Sequence, residues 1–232
     1  MAFEVNQAAD LKSLNGCNCF CSWSGGKDSC LALHRALRQG ARPRRLLTML
    51  DEDGRKSRSH GLPRELLQSQ ARSLGIPLLM RPASWNDYEA VFSAALSEMK
   101  EQGIEAGVFG DIDIEEHRQW AWKVCASAGL RLYHPLWQTP RNVLLKEMIE
   151  LGFKATIIAV KEGLLDRSFL GRVLDAELCA ELEASGIDPC GELGEYHTVV
   201  TDGPGFTTPL RLELKGQVLR GGCWFQEVCV LD

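Results

Sequence analysis

No stretch of this 232-residue chain approaches the ~20 consecutive apolar residues of a membrane span, so no membrane partner is expected. The first residues carry Glu4, Asp10 and Lys12 and lack a continuous apolar core, which argues against a secretory leader. Basic charge is also short. With 26 Lys and Arg against 31 Asp and Glu, the net charge is −5, so the surface as a whole is not a nucleic-acid footprint. One basic stretch exists, Arg42, Arg44, Arg45, Arg55, Lys56 and Arg58, but Asp51, Glu52 and Asp53 interrupt it and it reads as a solvated loop. Internal repeats and low-complexity segments are absent. The nine cysteines are an odd number in a chain long enough to build a core without covalent staples, and they read as reduced thiols of a cytoplasmic protein.

What the chain does have is a dense loop, Ser24-Gly25-Gly26-Lys27-Asp28-Ser29, set between the apolar run Cys19-Phe20-Cys21 and an amphipathic segment that puts Cys30, Leu33 and Leu37 on one face. The order is strand, glycine loop, helix. Gly25 and Gly26 accept positive φ and clear space for backbone N–H groups to face an oxyanion at a helix N-terminus. Lys27 adds a point charge, and Ser24 and Ser29 add hydroxyl donors. The spacing is not that of the G-x-x-x-x-G-K-[ST] loop. Cys17, Cys19 and Cys21 alternate, which points all three to one face of the first strand as core rather than as metal ligands.

Downstream, apolar runs at 46–50, 78–80, 107–110 and 130–133 alternate with helical patterns at 63–74, 86–99 and 114–128. Such alternation predicts an α/β fold with an open, mostly parallel sheet and helices on both faces. Ligands of such sheets gather at the carboxyl ends of strands, which would bring the glycine loop and the Gly110-Asp111-Ile112-Asp113 turn into one crevice. The pattern changes after His134-Pro135-Leu136-Trp137, so a first domain over 1–136 and a smaller C-terminal α+β domain over 137–232 are expected. In the second, Leu210, Leu212 and Leu214 alternate with charged residues as in a half-buried strand, and Lys215-Gly216 reads as a hairpin turn. Trp224, Phe225 and Val228 would cover either a core or a partner such as a second copy.

A second cluster spans 188–206: Asp188-Pro189-Cys190-Gly191-Glu192-Leu193-Gly194-Glu195-Tyr196-His197-Thr198, then Asp202. It is too long and too rich in Gly and acids for a simple connector. Glu192 and Glu195, three apart, are candidates for a metal, an amine or general-base work. His60, before a helix, either contacts a ligand or is a surface-loop residue. His117 and His134 read as structural, and Cys125 and Cys190 are the thiols to test for reactivity.

The loop 24–29 resembles that of the ATP pyrophosphatase superfamily (PP-loop, adenine nucleotide alpha hydrolase-like). Together with Gly110-Asp111-Ile112, His134-Pro135-Leu136-Trp137, Glu147-Met148-Ile149-Glu150-Leu151-Gly152-Phe153, Leu170-Gly171-Arg172 and the segment from Cys190 to Asp202, it resembles the diphthine–ammonia ligase family in its short prokaryotic form. That resemblance implies a Rossmann-like nucleotide domain and a C-terminal acceptor domain. It implies cleavage of ATP to AMP and pyrophosphate, adenylation of a small-molecule or protein-bound carboxylate, and amide formation with ammonia. Ser24, Gly25, Gly26, Lys27, Asp28, Ser29, Met49, His60, Gly110 and Asp111 would bind ATP, with Asp28 and Asp111 reaching Mg²⁺. Lys27 and Asp28 would serve the first step and Glu192 or Glu195 would take the ammonia proton, while Tyr196, Thr198 and Asp202 would hold the acceptor. The family usually has Gly where this chain has Leu193 and an acid where it has His197, and the latter change removes a charge or makes it pH-dependent. Two other readings use the same loop: a tRNA-thiolating adenylase relying on Cys125 or Cys190, and a nucleotide sensor without turnover.

Overall fold

A computed structural model describes residues 14–231; the segment read for a leader lies outside the described residues. Five strands, β1 (Asn18–Ser22), β2 (Arg42–Leu50), β3 (Leu78–Pro82), β4 (Ala106–Val108) and β5 (Arg131–Tyr133), form a sheet in the order β3-β2-β1-β4-β5. Every pairing in it is parallel. The helices between them are α1 (Lys27–Arg38), α2 (Arg64–Leu74), α3 (Tyr88–Glu101) and α4 (Glu115–Ser127).

Alternation along β1 shows how the sheet is covered. Cys19 and Cys21 are fully buried in the cluster that holds α1 and α2, whereas Phe20 between them belongs to the cluster of Phe92 and Leu96 from α3 and Val124 from α4. Helices therefore lie on both faces, as the strand–helix alternation requires. The chain fills one edge with β2 and β3, then crosses β1 to add β4 and β5. The reversal falls between β1 and β4, where the loops after both strands part and leave a crevice.

After α5 (Arg141–Glu150), a second sheet is built from β6 (Lys154–Lys161), β7 (Tyr196–Asp202), β8 (Arg211–Arg220) and β9 (Cys223–Leu231) in the order β7-β6-β9-β8, all antiparallel. A short 3₁₀ turn at Arg167–Phe169 and α6 (Ala176–Ala184) lie between β6 and β7. The hairpin turn is not at Lys215-Gly216. That pair sits in a register shift of β8 between Leu214 and Gln217, and the chain reverses at Gly221 and Gly222, whose φ values of 56° and 77° suit a tight hairpin turn. Val228 is buried, and Trp224 and Phe225 pack against the main core. No helix among the described residues is long and apolar enough to cross a membrane.

The two sheets share one core, running from β1 and α1 through Ile157 and Val160 to Val199 and Val200. Gln70 of α2, with no exposed surface, joins them through polar bonds. Its Nε2 donates to the carbonyls of Gly25 (2.9 Å) and Val200 (2.7 Å), and its Oε1 accepts from the Trp23 indole (3.0 Å). Gln70→Leu strands these buried groups, and a loss of about 3 kcal/mol is expected in urea unfolding.

Candidate active site

The crevice at the strand reversal is a cleft of about 820 Å³ whose walls come from both halves of the chain. Ser24, Lys27, Asp28 and Ser29 supply one side, Gly110, Asp111 and His117 a second, and Glu192, Leu193, Tyr196, His197 and Thr198 a third. Both sequence clusters therefore meet, although about 165 residues separate them.

The glycine loop is held from within and from β7. Ser24 Oγ donates to Ser29 Oγ (3.1 Å) and accepts from Gly26 N–H (3.3 Å), and Ser29 Oγ donates to the Gly26 carbonyl (3.0 Å). From β7, Val200 N–H donates to the Gly25 carbonyl (2.9 Å), and Thr198 Oγ1 accepts from Lys27 N–H (3.0 Å). Gly25 takes φ 78°, but Gly26 does not use the left-handed region, with φ −93°. Its lack of a side chain serves contact instead: a Cβ there would lie 2.4 Å from His60 Cε1 and 3.1 Å from the Thr198 carbonyl. Gly110 has the same role, since a Cβ would come 2.9 Å from the Asp28 backbone at the start of α1.

Lys27 is the electrostatic centre. Its ammonium lies 2.7 Å from Asp28 Oδ2 and 3.7 Å from Glu192 Oε1, and over the Tyr196 ring at 5.8 Å. Burial alone would lower its pKa, but Asp28, Tyr196 and Glu192 outweigh that and hold it above the ordinary lysine range. Glu192 responds in the opposite sense for a carboxylate. Burial, reinforced by Asp28 and only partly countered by Lys27, pushes it up to about 7, a value suited to a base at neutral pH.

Glu195 does not line the cleft. It is buried, and its carboxylate accepts from Leu193 N–H (2.9 Å), so it shapes the loop that carries Glu192. Tyr196 and Thr198 face the cleft, yet their hydroxyls are engaged: Tyr196 donates to the Pro189 carbonyl and Thr198 is taken by Lys27 N–H. Asp202 lies at the opposite end of β7, bound to Gly203 N–H (2.8 Å), outside the cleft lining. Met49 is 6 % exposed and lines a smaller annex beside the cleft rather than the cleft itself.

Asp111 is clamped by two imidazoles, His134 Nε2 at 3.1 Å and His117 Nδ1 at 3.4 Å. Burial opposes its ionisation, but these two contacts hold it well below the usual carboxylate range. His134 is structural as expected, whereas His117 lines the cleft. No group of three or more His, Cys, Asp or Glu able to hold a metal occurs among the described residues.

His60 and His197 stack at 4.6 Å beside the glycine loop. His60 Nδ1–H donates to the Thr198 carbonyl (2.9 Å). Burial lowers its pKa to about 4, and burial together with His60 and Lys27 lowers that of His197 to about 3. Replacing an acid with His197 thus removes a charge without adding a switch near neutrality. Both imidazoles stay neutral in the fold while their unfolded counterparts protonate below about 6.5, so their stabilisation is present above that pH and is lost on acidification towards 4 and 3. His197→Asn should therefore gain in stability relative to the parent as pH falls from about 7 to about 5, measured by paired urea titrations.

Cys125 and Cys190 are each 1 % exposed. Burial pushes Cys125 up to about 12 and Cys190 further above the ordinary thiol range, and the Cys190 thiol donates to the Arg141 carbonyl (3.3 Å). Neither is a ready thiolate.

A parallel sheet whose glycine loop and buried lysine meet an acidic loop at the strand reversal is the architecture of a nucleotide-dependent enzyme. Two sequence profiles extend this: that of the diphthamide synthase N-terminal domain matches residues 18–132, and that of the C-terminal domain matches residues 140–230. The chain belongs to the diphthine–ammonia ligase family. A diphthine–ammonia ligase of Schizosaccharomyces pombe is 28 % identical over 90 % of this chain, and the chain spans 38 % of that relative's length. The Rattus norvegicus and Danio rerio ligases are each 26 % identical, over 90 % and 88 % of this chain and 87 % and 90 % of their own. A solved structure described as a predicted subunit of tRNA methyltransferase from Methanocaldococcus jannaschii aligns over 81 % of this chain and 98 % of its own, with 17 % identity and a TM-score of 0.44.

Proposed function

We propose that the chain is an AMP- and pyrophosphate-forming amide ligase that adenylates a carboxylate and transfers ammonia to it. What supports this is that the Glu192 carboxylate, from the second half of the chain, lies 3.7 Å from the Lys27 ammonium beside the glycine loop of the first. ATP lies with its phosphates at residues 24–29 and its adenosine towards Met49. A carboxylate oxygen of the acceptor attacks the α-phosphorus, and the bond from that phosphorus to the bridging oxygen breaks. Lys27 and the N-terminus of α1 stabilise the charge that grows on pyrophosphate. Ammonia nitrogen then attacks the acyl carbon, AMP departs with the acyl oxygen, and Glu192 accepts the surplus proton.

Mg²⁺ would be held chiefly by phosphate oxygens and water, as this ion requires few protein ligands, and it would neutralise charge on the phosphates. Asp28 is the better protein contact, because both Asp111 oxygens face imidazoles. The curated relatives carry the name of a ligase acting on diphthine and ammonia, which supports a diphthine-type carboxylate as the first acceptor to test. With ATP and a diphthine-bearing acceptor present, AMP release should require ammonium chloride for amide formation. Amide formation without ammonium, or AMP release without any acceptor, would contradict this reading.

A further inference from the structure

The segment that joins the two halves of the chain ends in a clamp across the crevice. Gln138 takes φ 55°, the one non-glycine residue with positive φ among the described residues, and its N–H donates to the Ile112 carbonyl (2.7 Å). A non-glycine residue holds that conformation only where its surroundings over-determine it. Here the bond seats the start of α5 on the turn after β4.

Arg141, the first residue of α5, then reaches both walls. Its Nε and Nη2 donate to the two Asp113 oxygens (2.8 Å each), and its Nη1 donates to Asp188 Oδ2. Asp188 passes the hold on, since its Oδ1 accepts from Cys190 N–H (3.0 Å) and its Oδ2 from Glu192 N–H (3.1 Å). The Arg141 carbonyl also accepts from the Cys190 thiol (3.3 Å). A lone exposed ion pair fixes little, whereas an arginine fork that gives two bonds to one carboxylate and a third to another sets position as well as charge. After Lys27, Arg141 is the second cation that favours the Glu192 carboxylate. Asp113, Arg141 and Asp188 lie outside the cleft lining, so the clamp acts through Glu192 rather than on a substrate.

We propose that Arg141 is a positioning residue for amide formation: it ties the turn after β4 to the loop 188–195 and so holds Glu192 at its distance from Lys27. This rests on the ligase reading above and adds a residue from neither sequence cluster.

Two readouts on the full chain test it. The first is alkylation by iodoacetamide, mapped by mass spectrometry at Cys190 and at Cys125, which is equally buried but packs in the Phe92 cluster on the other face of the sheet. Arg141→Met should speed alkylation of Cys190 about tenfold, through local opening of the loop, and leave Cys125 unchanged. The second is amide formation with ATP, ammonium and the diphthine-bearing acceptor. Arg141→Met should lower kcat about ten- to a hundredfold with little change in KM for ATP, and should add nothing in a Glu192→Gln background. Arg141→Lys keeps the charge without the fork, so it should recover part of both losses and provides a second variant should Arg141→Met not fold. Cys190 alkylated at the parental rate, Cys125 rising in step with it, or a kcat loss that adds to that of Glu192→Gln overturns the inference and leaves the ligase reading intact. A parent chain that forms no amide removes the ligase reading and the catalytic part of the inference with it, and the alkylation contrast then decides the clamp alone.

Discussion

Lys27→Met should reduce AMP formation by about a hundred- to a thousandfold, the scale of removing one preorganised donor to developing charge. The buried ammonium is the one lysine lining the cleft among the described residues, and both Asp28 and Glu192 lean on it. Without it only Arg141 still favours ionisation of Glu192 beside Asp28, and Glu192, already raised to about 7, moves higher. The residual activity should therefore shift its pH dependence to more alkaline values. Circular dichroism of the variant separates this from loss of fold, and an AMP rate within a factor of a few of the parent would remove Lys27 from the chemistry.

Glu192→Gln should separate the two halves of the reaction. Glutamine keeps the size of the side chain and the neutral form of the acid but cannot take a proton, so acceptor-dependent exchange of pyrophosphate into ATP should persist while amide formation falls by about a hundredfold or more. On the proposed role of Glu192 the deprotonated carboxylate is the active form in the parent, so amide formation should rise with pH and level off above about 7. The variant should lack that rising limb. Glu195→Gln makes the contrast sharper, because Glu195 holds Leu193 N–H and would act on loop order rather than on the proton.

Much of the first half was readable from residue order alone. The alternation of Cys19, Phe20 and Cys21 told which side chains face each helical layer, and the strand–helix rhythm told where the glycine loop and the Gly110 turn would meet. The hairpin carries a usable signal in the sequence: Gly221-Gly222 is a stronger hairpin pair than Lys215-Gly216, since both residues take positive φ. Of the two uses of glycine expected at Gly26, positive φ and the lack of a side chain, only the second holds, through a close approach to His60.

Other features had no local signal. Gln70 sits mid-helix as an unremarked amide, and only the packing of α2 between Trp23, Gly25 and Val200 makes it a joint. The difference between Glu192 and Glu195 arises from the turn through Gly194, where one carboxylate reaches Lys27 and the other folds back on Leu193 N–H. Arg58, read as part of a solvated stretch, is half-buried where a reversal after β2 returns its N–H to the Met49 carbonyl, which charge patterning cannot register.

The central claim is that this cleft cleaves ATP between its α- and β-phosphates. Incubation of the chain with α-labelled ATP, an acceptor carboxylate and ammonium, followed by separation of the labelled nucleotides, tests it directly. Label in AMP, with an equal amount of pyrophosphate, is the predicted result; label in ADP would contradict the account.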